Sequence, residues 1–186
     1  MAYTDPVGTR SPDPGRLDVA ALAAEGASLS GQWPAAQLER WSALQASPPG
    51  VALEPVRWQA RGELRRKVGE PPQVWLHLHA TATGWPTCQR CLQPFSEAVI
   101  VDRSVRFVEG EAQAEAMDAD SEDDVLALTQ ALDLRTLVED ELLLAWPLVP
   151  RHAQCSAPPH RAGDAASAQA GPFAALAALR PPTPGH

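Results

Sequence analysis

From Val56 onward the apolar residues recur at every second position. Val56, Trp58, Ala60, Gly62 and Leu64 fall on one side of an extended chain, and Arg57, Gln59, Arg61, Glu63 and Arg65 on the other. A strand with one buried and one wet face has this period, and a helix has not. The alternation returns at Val74, Leu76, Leu78 and Ala80, and again at Val99, Val101, Val105 and Phe107. Residues 69–72 and 84–94 break it with Gly and Pro. Links this short suit hairpins rather than helical crossovers, so the three runs predict an antiparallel meander.

The period changes to 3.6 after Asp133, a good N-cap. Leu134, Leu137, Val138, Leu142, Leu144 and Ala145 then form one stripe, and Pro147 and Pro150 stop it. Residues 125–128 read as a short edge strand. Upstream, 17–24 and 34–44 suit short helices, the second with Leu38, Trp41 and Leu44 on one face. The expected fold is therefore α+β: a small antiparallel sheet of three or four strands, a packed amphipathic helix over 133–145, and short N-terminal helices. The 186 residues suit one domain, 16–155, with an acidic loop at 109–124. Residues 1–15 are rich in Pro, Gly and Asp and read as a disordered tail. Residues 156–186, rich in Ala, Pro and Gly, read as a flexible tail with a short docking segment at 172–179.

The formal charge of −8 hides a polarised chain. Residues 51–108 carry eight basic and five acidic side chains, whereas 109–141 carry twelve acids and Arg135 alone. No apolar stretch approaches the roughly 20 residues of a membrane span. The first residues lack a basic region followed by an apolar run, so a cytoplasmic protein is expected. Three cysteines, an odd number, do not suit a closed disulfide framework.

The sharpest local signal is Thr87-Cys88-Gln89-Arg90-Cys91-Leu92-Gln93-Pro94-Phe95. Two thiolates separated by two residues reach one zinc ion from a tight turn. Cys155, with His152 three residues before it, would complete a Cys3His set with Cys88 and Cys91, and His160 is an alternative fourth ligand. The competing reading is two small thiols fixing a turn without metal. A thiol oxidoreductase needs its first cysteine at a helix N-terminus, and Pro94 with the β-like run after it opposes such a helix.

Arg57, Arg61 and Arg65 share the polar face of the first long strand, with Arg90 in the cysteine turn. Arginines so arranged can meet RNA phosphates, or they can be an ordinary solvated face interrupted by Glu63. Trp75 is the nearest ring available for base stacking, and His77 and His79 share its face. Glu141 falls inside the apolar stripe of the helix, while Glu139 and Asp140 point elsewhere. A carboxylate there needs a partner, and an arginine from the sheet or the cysteine turn is the candidate for a structural tether. There is no phosphate-binding Gly loop and no nucleophile elbow. Neither enzymatic activity nor a small-molecule substrate is expected.

Several of these blocks together resemble the bacterial YceD family, the large ribosomal RNA subunit accumulation proteins. Cys88-Gln89-Arg90-Cys91-Leu92-Gln93-Pro94-Phe95 is similar to the family's Cys-x-Arg-Cys-x-x-Pro-Phe signature. Leu132-Asp133-Leu134 with 137–147 resembles its central helix, and 148–155 continues the likeness. Residues 171–179 resemble its Pro-Phe-Ala-x-Leu-x-x-Leu ending. The resemblance implies a non-enzymatic role in the synthesis, processing or stability of 23S rRNA, hence in biogenesis of the large subunit. It implies ribosomal RNA or a large-subunit ribosomal protein as partner, with no required cofactor and zinc as an option. The alternative is a zinc-knuckle binding module unrelated to ribosomes.

Overall fold

The computed structural model describes residues 12–156. The expected tail 156–186 (beyond Ser156), its docking segment 172–179 and most of the expected tail 1–15 lie outside them. Within them, the element order is α1 (Val19–Glu25), β1 (Ser28–Trp33), α2 (Glu39–Ala43), β2 (Val56–Arg65), β3 (Gln73–Gly84), β4 (Glu97–Val108), α3 (Glu111–Ala119), β5 (Asp124–Ala127) and α4 (Leu134–Leu144). The class is α+β.

The three alternating runs form β2, β3 and β4, each antiparallel to the next, with Ala60 opposite Leu78 and Leu78 opposite Arg103. The sheet is larger than a three-strand meander and is mixed. β1 adds to β2 in antiparallel register, and β5 adds to the last four residues of β4 in parallel. β1 reads Ser-Leu-Ser-Gly-Gln-Trp, too polar to announce a strand. It holds because Leu29 and Trp33 face inward, Trp33 stacking on Trp58 at 4.6 Å, and because Gly31 leaves room for the Trp58 ring. β5 runs parallel because α3 carries the chain back between β4 and β5, which a tight hairpin cannot do.

That helix corrects the acidic loop expected over 109–124. Gly110, at φ +81°, turns the chain out of β4, and the alanine-rich run that follows is a good helix former. Ala114 and Met117 lie against Val108, Val125 and Ala127, a small second core on the far face of the sheet.

The main core lies on the other face. Val56, Ala60, Leu76, Leu78, Ala80, Val99, Val101 and Val105 meet Leu22 of α1, Leu38 and Trp41 around α2, and Leu134, Val138 and Leu142 of α4. Asp133 caps α4 by accepting from the N–H groups of Arg135 and Thr136. The buried stripe is narrower than predicted, since Leu144 and Ala145 are exposed. The helix expected over 34–44 is split into a 3-10 turn at Ala35–Gln37 and the short α2.

Two glycines let these layers meet. A Cβ on Gly62 would lie 2.5 Å from the backbone of Leu22 and of Ala23, so α1 rests directly on β2 there. At Gly84 a Cβ would lie 2.5 Å from Trp146, which meets Trp41 edge-on at 5.1 Å. Gly62→Ala is expected to destabilise by about 1–3 kcal/mol through overpacking against backbone. The urea midpoint should fall with an unchanged slope; no shift would mean that α1 can ride outward freely.

Candidate metal centre and the open sheet face

The turn between β3 and β4 is built by its own backbone. Thr87 bridges Pro94, the N–H of Cys88 donates to the Gln93 carbonyl, and the N–H of Leu92 donates to the Cys88 carbonyl. Leu92 takes φ 59°, a left-handed conformation unusual for a branched side chain. The turn thereby folds tightly enough to turn Cys88 and Cys91 to one side.

The second half of the centre arrives from far along the chain. After α4 the chain bends at 148–149, and the N–H of Gln89 donates to the Pro150 carbonyl at 2.9 Å. That bond lays residues 151–155 against the turn. The side chain of Arg90 donates to the Cys155 carbonyl at 3.1 Å, and the Phe95 ring lies 4.5 Å from the His152 ring.

The donor atoms of Cys88, Cys91, His152 and Cys155 consequently all fall within 4.8 Å of one another. The Cys88 and Cys155 sulfurs are 3.7 Å apart, and the Cys91 sulfur is 3.3 Å from Nδ1 of His152. Tetrahedral zinc with Zn–S near 2.3 Å and Zn–N near 2.0–2.1 Å needs ligand separations of about 3.8 Å for two sulfurs and about 3.5 Å for sulfur and nitrogen. The donor set therefore fits zinc, and four protein ligands leave no open position. The electrostatics agree. Burial pushes the Cys88 thiol up, but N–H groups of Cys91, His152 and Arg90 aimed at its sulfur outweigh this and bring it to about 5. Burial and the neighbouring Cys88 and Cys91 sulfurs push Cys155 up. Crowded sulfur atoms of this kind resist losing further protons until a cation shares them. His160, the alternative ligand, lies outside the described residues.

The arginines lie elsewhere. Arg57 and Arg61 are exposed on the sheet face that α1, α2 and α4 leave uncovered. Arg65 is on that face too, but it pairs with Glu63 at 3.2 Å and its guanidinium covers the Trp75 ring at 4.0 Å. Trp75 is buried as a result and offers no ring for stacking. His77 uses one ring nitrogen on Ser104 and the other on Glu63. These contacts, with His77 first and Arg65 second, hold the Glu63 carboxyl below its usual range. Arg90 sits in the cysteine turn, so the four arginines make no single cluster.

Glu141 accepts from Nε of Arg103 in β4 at 3.2 Å, a helix-to-sheet contact. A second acid of α4, Glu139, is buried as deeply, although the helical projection placed it away from the core. One of its oxygens accepts from the backbone N–H groups of Arg40 and Trp41 at 2.8 and 3.1 Å. The other accepts from Nε and an Nη of the Arg40 side chain. Asp140 takes the second Nη at 2.6 Å. Glu139 lies at the flank of the apolar stripe, and only the docking of α2 buries it.

Among the described residues no helix is long and apolar enough to cross a membrane. No solved structure matches the chain. Residues 76–180, from the second long strand through the cysteine turn, α4 and beyond, match the family model described as "Large ribosomal RNA subunit accumulation protein YceD", and the chain belongs to that family.

Proposed function

We propose that this protein is a non-enzymatic cytoplasmic factor that promotes accumulation of 23S rRNA by binding a large-subunit precursor. Family membership carries the reading. The geometry supports it in two ways. The open sheet face presents Arg57 and Arg61 about 13 Å apart along one strand, a spacing set by four residues of rise. Neither shows an acidic side-chain partner among the described residues. Arg90 stands on the cysteine turn, whose zinc would fix the turn and the 151–155 segment as one rigid unit. Zinc here has a structural part. The Cys88 sulfur is fully buried, which opposes a thiol oxidoreductase, since an attacking thiolate must reach its substrate.

Two measurements test the reading. Depletion is expected to lower 23S relative to 16S rRNA, and an unchanged ratio would refute it. Arg57→Glu with Arg61→Glu is expected to weaken binding to a 23S precursor fragment at least tenfold. Wild-type affinity should fall steeply with salt, as counterion release requires. Salt-insensitive binding, or a double variant that binds normally, would remove the sheet face from the contact.

A further inference from the structure

β4 is longer than the strand that closes it. β5 pairs with Val105 to Val108 only, so along residues 97–104 the outward backbone edge has no partner among the described residues. An open edge of eight residues is a template for one more strand. Beside it runs a groove of about 270 Å³, lined by Ile100, Val101, Asp102, Arg103, Glu141 and Leu144. Ile100 on the arginine face and Leu144 on the helix side flank this edge and are 62% and 72% exposed, unusual for large apolar residues.

The charges around this edge select its occupant. Glu97 and Asp102 are exposed on β4 itself. Arg103, the cation of the groove, is already shared between Glu141 at 3.2 Å and Asp124 at 3.7 Å. Beyond the open stretch, where β5 begins, the chain carries Glu122, Asp123 and Asp124. A second copy of this chain pairing edge to edge would bring two regions of net negative charge together, which is unfavourable. An extended cationic segment would instead complete the ladder, turning alternate basic side chains to the helix side toward Glu97 and Glu141 and apolar ones toward Ile100.

We infer that the free edge of β4 is a docking site for an extended, basic peptide segment with alternating apolar residues, which adds as a strand in line with β5, its basic side chains on the helix side and its apolar ones beside Ile100. The inference rests on the ribosome-assembly reading only for where such a segment is met, on the basic extensions of ribosomal proteins. The site itself lies on the sheet edge, where Ile100 and Asp102 belong to the arginine face and Glu97 to the helix side.

The test uses the full chain and an eight-residue synthetic peptide of alternating Lys and Val. Its counterpart alternates Glu and Val. Affinity is read by fluorescence anisotropy, and location by amide hydrogen exchange. The Lys-Val peptide is expected to bind at least tenfold more tightly than the Glu-Val peptide and to slow exchange in 97–104. Glu97→Lys, at an exposed position on the helix side of the sheet, should lower that affinity at least fivefold while leaving binding of the precursor RNA intact. Equal binding of the two peptides, protection confined to β1, or unaffected binding by Glu97→Lys would each overturn the inference. Loss of the 23S phenotype with peptide binding retained would instead count against the ribosome reading alone.

Discussion

Protein purified and dialysed against metal-free buffer is expected to hold close to one equivalent of zinc, and Cys91→Ser less than about half an equivalent. The basis is the agreement between the ligand separations and a tetrahedral site. Removing metal with a strong chelator should also lower the melting temperature. Binding to the folded state alone adds about 4 kcal/mol when free zinc exceeds the dissociation constant a thousandfold. For a domain of this size that is about 10 °C. The main core contains none of the four ligands, so the sheet should survive. Exchange protection should be lost around 87–94 and 150–155, the two segments joined by the bond between Gln89 and Pro150. Wild-type protein with less than about half an equivalent of zinc, and a melting temperature indifferent to chelator, would show a thiol-stabilised turn instead.

Glu139→Ala is expected to cost about 2–3 kcal/mol, more than a typical surface change. The carboxylate satisfies two backbone N–H groups at the start of α2 and two side-chain nitrogens of Arg40. Its loss leaves the Trp41 N–H buried without an acceptor, beside a ring that is itself in the core. Glu139→Gln keeps one acceptor for the backbone and should cost roughly half as much. Urea denaturation reads both. A shift below about 1 kcal/mol for the alanine variant would place this contact among ordinary surface ion pairs. Glu141→Ala should cost less, because Glu141 accepts from the half-exposed Arg103 side chain and from no backbone N–H, and Arg103 keeps Asp124.

The two acids of α4 show how far sequence reaches. Glu141 sits in the middle of the helical stripe, so the projection alone singles it out. Glu139 sits at the flank, and nothing local tells that flank from solvent. It becomes buried because α2, almost a hundred residues earlier, docks there. β1 was hidden for a related reason. Its inward residues are a leucine, a glycine and a tryptophan, and what stabilises them is the Trp58 ring and the pairing edge of β2, neither of which is local. The helix α3 was hidden by composition, since a run of acids among alanines reads as solvated until Val108, Val125 and Ala127 supply a surface for it.

The sequence by itself determined β2, β3 and β4, the cap and body of α4, and the tight turn at Cys88 and Cys91. Each rests on a period or a spacing set within about a dozen residues, where backbone geometry leaves few choices. Only the tertiary structure decided which elements close the sheet, that β5 runs parallel and leaves residues 97–104 of β4 open, and that His152 and Cys155 reach the first cysteine pair. Those outcomes depend on contacts between segments tens of residues apart, which loop-closure entropy opposes and only the packed core repays.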